Sequence, residues 1–412
     1  PRKMVLIMAI VFGIDVSKAT SNVAVINDDT TVWQSKINND WFGFQELLKH
    51  LQEYREPQIV FEATGVYSQR LRRFLDDHQY RYSQLNPLAA KKQLDGLRTR
   101  KTDKNDALHL AQTQLIFKRR LTYYQEPVYR DLMNLSRFYQ EVNSDLVREK
   151  NRLHRSVQLT FPELEQLLSK PTGKMYWTIV QLYPHADCLN EQTPEDVYEQ
   201  ISSVVSHHGK AALKAIATKL LNLAKASYPA ESIDSPMLEQ TRYHAKQVTE
   251  REAHKDQIIN QMVQLAKGLP EFEILMSIPG FAEKTVVRLI GELGDIRRFG
   301  SSNKLNAFVG IDLRHYESGN YIASDQISKR GNHIARAVLY RAITNISSAA
   351  KTKPNHINDF YQKRKKQLPV VNGKTVGSKK VAVAAMSRLL RTIYHLVTTS
   401  QLYQYGVQRQ PI

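Results

Sequence analysis

Hydrophobic and polar positions divide the chain into three rhythms. Near the N terminus, short apolar runs follow closely: "AIVFGIDVS", "NVAVIN" and "TVWQSKI" read as three strands, the last two joined by an "NDDT" turn. "FGFQELLKHLQEY" switches to helical spacing. A strand at "QIVFEA", a helix from about Tyr67 to Gln79 and a strand at "YRYSQL" come next, and "NPLAAKKQLDGL" opens another helix with Pro87 in its first turn. Strands first, then strand–helix alternation, predict an α/β domain with a mixed sheet over residues 1–122.

The second rhythm is that of long amphipathic helices. From about 127 to 160, Leu132, Leu135, Phe138, Val142, Leu146 and Leu153 recur at intervals of three, four or seven, and residues 235 to 267 show a similar pattern. Such helices pack on each other or on a second subunit as a coiled coil. Residues 123–267 therefore read as a helical, coiled-coil linker and oligomerisation region with shorter helices inserted. No chemistry attaches to residues 161–240. The third segment, 268–412, is an all-α domain interrupted by one extended loop, "LRHYESGNYIASDQISKRGN". Helices are expected from about Ile334 to Ala350 and from Ser378 to Thr399.

Charge narrows the partner. Among 412 residues, 58 Lys and Arg against 40 Asp and Glu give a net charge of +18, which suits a polyanion because each neutralised phosphate releases counterions. No apolar run reaches the ~18 residues that span a bilayer, and there is no basic amphipathic anchor, so a membrane partner is not expected. The opening "PRKMVLIMAIVFGID" has the basic-then-apolar look of a leader. It runs straight into "GIDVSK" without a small-residue cleavage site and reads instead as a buried strand. Cys188 is the one cysteine, so neither an internal disulfide nor a zinc cluster is expected. A reducing prokaryotic cytoplasm, on the nucleoid, fits.

Acidic residues fall at the ends of the predicted elements. Asp15 closes the first strand and Glu62 the fourth, while Asp103 and Asp106, three apart in "RTRKTDKNDA", share one face at a helix start. In a sheet of the ribonuclease H type the first and fourth strands lie side by side, and a helix across that edge brings two more carboxylates. Four oxygen donors suit hard divalent cations. Taken singly, Asp15 could be a turn residue, Glu62 the partner of an arginine and Asp103 a helix cap.

Two further motifs stand in the third segment. "LMSIPGFAEKTVVRLIGELG" resembles a helix–hairpin–helix, whose turn at Pro279 and Gly280, with Lys284 beyond it, can hold a backbone phosphate. An ordinary αα-hairpin is the alternative, and Ala282 stands where the usual pattern has a second glycine. In "RHYESGN", Ser318 lies among Arg314, His315, Lys329, Arg330 and His333. A serine before glycine in a polar loop is ordinarily a turn, but a serine attacking a phosphodiester needs such cations. Arg98, Arg100, Lys101 and Lys104, with the runs at 118–120 and 363–366, suit phosphate contacts.

With these residues assembled, the chain resembles the DEDD-type insertion-sequence transposases and recombinases, relatives of the Piv invertases that include the bridge-RNA- or seek-RNA-guided enzymes. The resemblance rests on "GIDVSK", "FEATGVY", "LRTRKTDKNDA", "SIPGFAEKTVVRLIGELG", "FVGIDLRHYESG" and "SKRGNHIARAVLY", over roughly residues 10 to 120 and 270 to 350. It implies a RuvC-like ribonuclease H domain in which Asp15, Glu62, Asp103 and Asp106 bind Mg²⁺, with Mn²⁺ a possible substitute. It implies a C-terminal transposase domain with Ser318 as nucleophile, a homodimer or homotetramer, donor and target DNA, and a structured non-coding guide RNA. The rival readings are an invertase-like recombinase without RNA, a metal-dependent junction-resolving endonuclease, and a non-enzymatic nucleic-acid-binding protein.

Overall fold

The computed structural model describes residues 10–27, 30–87, 103–117, 119, 121–205, 208–314, 317–318, 321–322, 326–371 and 374–406. For 103, 104, 314, 317, 318, 321, 322, 374 and 375 it describes the backbone alone. The expected helix over "NPLAAKKQLDGL" and the phosphate candidates Arg98, Arg100 and Lys101 lie outside these residues. The chain forms two compact units, residues 1–124 and 125–412.

In the first unit, β1 (Ile10–Val16), β2 (Thr20–Asn27), β3 (Thr30–Asn38), β4 (Gln58–Glu62) and β5 (Tyr82–Leu85) form a five-stranded sheet in the order β3-β2-β1-β4-β5. β1, β2 and β3 are antiparallel neighbours, while β4 and β5 run parallel to β1. Helices α1 (Trp41–Gln52) and α2 (Ser68–Asp77) make the crossovers. Asp40 starts α1 by accepting a hydrogen bond from the Gly43 amide at 3.0 Å. The continuous apolar run of β1 has a physical reason, since both of its faces are covered. Phe12, Ile14 and Val16 pack with Leu47, Leu51, Leu71 and Leu75 of α1 and α2. On the other face, Val11 meets Leu110 and Ala111 of α3 (Asp103–Ile116). Each such fully buried side chain contributes about 1.5–3 kcal/mol.

In the second unit, α4 (Pro127–Thr160) and α8 (Met237–Ala266) are the two long helices, close to the expected bounds, and they pack on each other within the chain. Tyr129, Leu132, Tyr139 and Val142 share a core with Ile258, Met262 and Ala266, whereas Leu146, Leu153 and Val157 share another with Ala245 and Val248. The pair is thus antiparallel. Between them α5 (Lys174–Leu182), α6 (Pro194–Val204) and α7 (Lys210–Ala226) wrap around Phe161, Tyr176, Trp177 and Val197, which extend that second core. A Thr193–Asp196 capping box starts α6.

The remainder is helical, as expected: α9 (Pro270–Met276), α10 (Glu283–Leu293), α11 (Ser302–Val309), α12 (His333–Ala349), α13 (His356–Lys366) and α14 (Ser378–Thr398). Extended backbone interrupts it in the expected place. β6 (Leu313–Arg314) pairs with β9 (Gln326–Ile327), and inside that pair β7 (Glu317–Ser318) joins β8 (Tyr321–Ile322). Another short pair, β10 (Val370–Val371) and β11 (Lys374–Thr375), precedes α14. Among the described residues no helix is long and apolar enough to cross a membrane.

Candidate active site

Backbone pairing fixes the first two carboxylates. β1 and β4 are in register from Val11 with Gln58 to Ile14 with Phe61, so Asp15 and Glu62 stand one step further along, side by side. Neighbours in a parallel pair project to the same face, which for Asp15 is also the face of Gly13. On that face α3 lies against β1 so closely that a methyl group on Gly13 would come within 2.1 Å of the Ala107 carbonyl oxygen and 2.6 Å of the Ala111 nitrogen. Glycine here serves close approach rather than flexibility.

The direction of α3 follows from two contacts. Its start is level with Gly13 through Ala107, while Gln114 donates to the side chain of Gln58, the register partner of Val11, at 3.3 Å. The helix therefore runs antiparallel to β1. From Gly13 to Asp15 the strand climbs about 6.6 Å, and from Ala107 back to Asp103 the helix climbs about 6 Å. The backbone thus carries Asp103 and Asp106 toward the end of β1 that holds Asp15, with Glu62 alongside. Asp15, Glu62 and Asp106 are each half-buried and each engaged in a polar or electrostatic contact.

This set offers only hard oxygen donors, the chemistry that a divalent cation such as Mg²⁺ prefers. Among the described residues no three His, Cys, Asp or Glu side chains are gathered closely enough to hold a metal ion. Asp103 is described by its backbone alone. Two buried atoms without a hydrogen-bond partner flank the carboxylates in sequence: Thr64 Oγ1, two residues past Glu62, and His109 Nδ1, three past Asp106. Buried polar atoms of this kind are uncommon in folded proteins. Sequence reading passed over both, and the only signal available was their spacing from the acidic residues.

Ser318 sits on the inner of the two nested hairpins. It pairs with Tyr321, and Glu317 pairs with Ile322; Gly319 and Asn320 between them lie outside the described residues. The hairpin base is locked by a crossing of two backbone segments. Gly310, at φ +76, closes α11, and a Cβ there would stand 3.0 Å from the Arg330 backbone. Gly331, at φ +155, lies so near the Phe308 carbonyl that a Cβ would approach it to 2.4 Å. The Lys329 amide donates to the Gly310 carbonyl at 3.0 Å, and the Arg336 guanidinium to the Val309 carbonyl at 2.7 Å. Asn332 then caps α12 and donates its side-chain amide to buried Glu292 at 2.7 Å, which also accepts from Ser136 at 2.8 Å. Lys329 and Arg330 are exposed beside this crossing.

The Pro-Gly turn has a packing role as well. Gly280, at φ +86, lies against α12, where a Cβ would sit 2.7 Å from the Asn345 backbone. Ile278 and Phe281 on either side are buried, and Pro279 is half-buried. Lys284 is exposed in the first turn of α10, its ammonium 5.1 Å from the Tyr139 ring. Burial of Arg288, one turn further on, lowers its pKa.

Comparison with known proteins places the chain in a family. A transposase model, the DEDD type of IS110, matches residues 12–162, and the model described as Transposase IS116/IS110/IS902 family matches residues 272–362. The first spans the four acidic residues, the second Ser318 and its cations. The chain belongs to the IS110-type DEDD transposases. Similarity extends across nearly the whole length to the pilin gene-inverting protein of Moraxella bovis, 25% identical over 93% of this chain and 94% of that one. The transposase for insertion sequence element IS1111A of Coxiella burnetii is 28% identical over 34% of this chain, a match that spans 37% of the relative's length. A probable family 20 transposase of Pseudomonas aeruginosa is 22% identical over 49% of this chain and 56% of its own. The first match covers the mixed five-stranded domain and the first long helix, and the second lies in the helical region that follows.

Proposed function

We propose that this chain cleaves and rejoins DNA at the ends of an insertion element, with the acidic end of β1 and Ser318 serving one reaction. The observation that carries the reading is the placement of Asp15 and Glu62 as parallel-strand neighbours, with the N-terminal turn of α3 running toward them. Asp15, Glu62, Asp103 and Asp106 would hold Mg²⁺ or Mn²⁺. A divalent ion there supplies Lewis-acid polarisation of a phosphodiester and charge stabilisation in phosphoryl transfer.

Ser318 would attack the scissile phosphorus through Oγ. Its hydroxyl proton passes to a base, the new O–P ester forms, and the bond to the departing DNA hydroxyl breaks. A second DNA hydroxyl then attacks the phosphoserine, restores a phosphodiester and returns the proton to Oγ. The ester conserves the bond energy, so rejoining needs no nucleotide cofactor. Arg314, Lys329 and Arg330, close in sequence to Ser318, supply the charge that a pentavalent phosphorane requires. Lys284, Lys104 and the basic residues before Asp103 would hold flanking phosphates.

A structured RNA, carried by the resemblance and by the +18 charge, would select donor and target on a homodimer or homotetramer. A second reading has its own support: the relative aligned over 93% of this chain is a pilin gene-inverting protein, so protein contacts alone could choose the sites. Sequencing the nucleic acid that copurifies separates the two. A discrete RNA complementary to both DNA partners supports guidance, and recombination unaffected by ribonuclease supports inversion-type selection.

A further inference from the structure

A cavity of about 2160 Å³ opens within the second unit among α12, α13 and α14. Each helix presents one stripe to it at helical spacing. α12 contributes His333, Arg336 and Tyr340, and α13 contributes His356, Phe360 and Arg364. α14 contributes Lys380, Arg388, Arg391 and His395, all exposed. Lys329, Arg341 and Lys379 bring the lysines and arginines of the lining to eight, and among the described residues the lining holds no Asp or Glu.

This excess is not consumed inside the protein. Beyond residue 268, Arg297 pairs with Glu271 and Asp295, none of which lines the groove. Asp359 of α13, the carboxylate beside the groove, accepts a hydrogen bond from the lining residue Tyr405. Arg364 and Arg388 both lie over the Phe360 ring, at 5.3 and 5.1 Å. Between the cations the floor is apolar, formed by Ile311, Ile327, Val383, Met386 and Leu396, and Tyr340 stands 43% exposed at the edge.

We infer that this groove binds an unpaired nucleic-acid strand. Eight lysines and arginines in one groove call for a polyphosphate, and the apolar, aromatic floor decides its form. A duplex hides its bases and offers phosphates alone, so it would leave that floor unused. A single strand sets phosphates on the cationic rim and base faces on Tyr340, Phe360 and the aliphatic floor. The inference rests on the proposed recombinase reading, in which separated strands must be held, and it assigns that task to residues of which the catalytic reading uses Lys329 alone. DNA and RNA strands share this chemistry, and the test distinguishes them.

The test is a fluorescence-anisotropy titration of the full chain in EDTA with oligo-dT, oligo-rU and a mixed-sequence DNA duplex, each of about 16 nucleotides. Lys380→Ala combined with Arg391→Ala should weaken single-strand binding about tenfold and lower the salt slope by about 1.4, two contacts at roughly 0.7 each. Tyr340→Ala should weaken it about fivefold with the slope unchanged. The oligonucleotide that loses more identifies the strand as DNA or RNA. Unchanged single-strand affinity in both variants overturns the inference, as does duplex binding that is tighter and falls equally. A shift in oligomeric state with strand binding intact gives the groove to a second copy and also overturns it. Because EDTA removes any need for the carboxylates, this outcome is independent of the catalytic reading, which fails separately if Asp103→Asn cleaves DNA like the parent chain.

Discussion

The acidic end of β1 and the Ser318 hairpin are built in opposite ways. Asp15 and Glu62 are placed by an in-register pair of central strands buried on both faces. A helix packed to contact distance on Gly13 brings the remaining carboxylates toward them. Ser318 instead rides on two-residue strands. Its position derives from what lies beneath: the Gly310–Gly331 crossing, the Asn332 cap and the buried Glu292 carboxylate. Under the proposed function the contrast has a reason: donors that converge on one ion need several rigid elements, whereas a nucleophile that reaches DNA needs one well-anchored projection. On this comparison, substitutions under the sheet should damage fold and chemistry together, and those in the hairpin should damage chemistry alone.

The largest expected effect is on chemistry. Asp103→Asn and Glu62→Gln should each lower metal-dependent strand cleavage by about 10³-fold, the scale of losing a group that stabilises the transition state, with the circular dichroism spectrum unchanged. Gly13→Val tests the scaffold. Branched carbon forced against Ala107 should displace α3, cost about 1–3 kcal/mol of stability and abolish cleavage, both measurable on one preparation. Glu292→Ala tests the anchor. It strands the Asn332 amide and the Ser136 hydroxyl and should cost about 2 kcal/mol in denaturant unfolding, with strand joining reduced and oligonucleotide binding retained.

The smallest effect lies in the pair of long helices of the second unit. Glu252 pairs with Lys150 at 2.7 Å and with Lys255 at 3.3 Å. Burial alone would raise its pKa, but the two ammonium groups outweigh it and hold the carboxyl below its ordinary value. Its folded pKa being depressed, the ion pair stabilises these helices above the ordinary carboxylate pKa, and that contribution is lost as pH falls through the depressed value. Glu252→Gln should cost less than about 1 kcal/mol near neutrality and nothing in acid, as thermal melts across that range would record.

Much of this was legible in the sequence, for stated reasons. Short apolar runs marked β1 to β5 and a period near 3.6 marked the two long helices, because burial of a strand or of one helical stripe leaves that trace. The bounds expected for the helix at 67–79 were two residues too long at the C-terminal end, where Asp77 and His78 give no stop signal. Whether the long helices paired within the chain or between chains was not legible, since an apolar stripe names no partner. Gly13 and Gly280 were equally silent. Each is glycine because another backbone passes over it, a fact of tertiary packing alone. The groove was hidden for the same reason, as its stripes come from helices that begin at His333, His356 and Ser378 and gain meaning only when assembled.

The central claim is that the carboxylates and Ser318 serve one reaction. Element-end DNA incubated with Mg²⁺ and resolved on a denaturing gel tests it directly, using the parent chain, Ser318→Ala and Asp103→Asn. The account predicts a covalent protein–DNA band with the parent chain, mapping to the peptide that contains Ser318, and its loss in both variants. A band that persists in Ser318→Ala, or cleaved ends formed by water without any band in the parent chain, would contradict it.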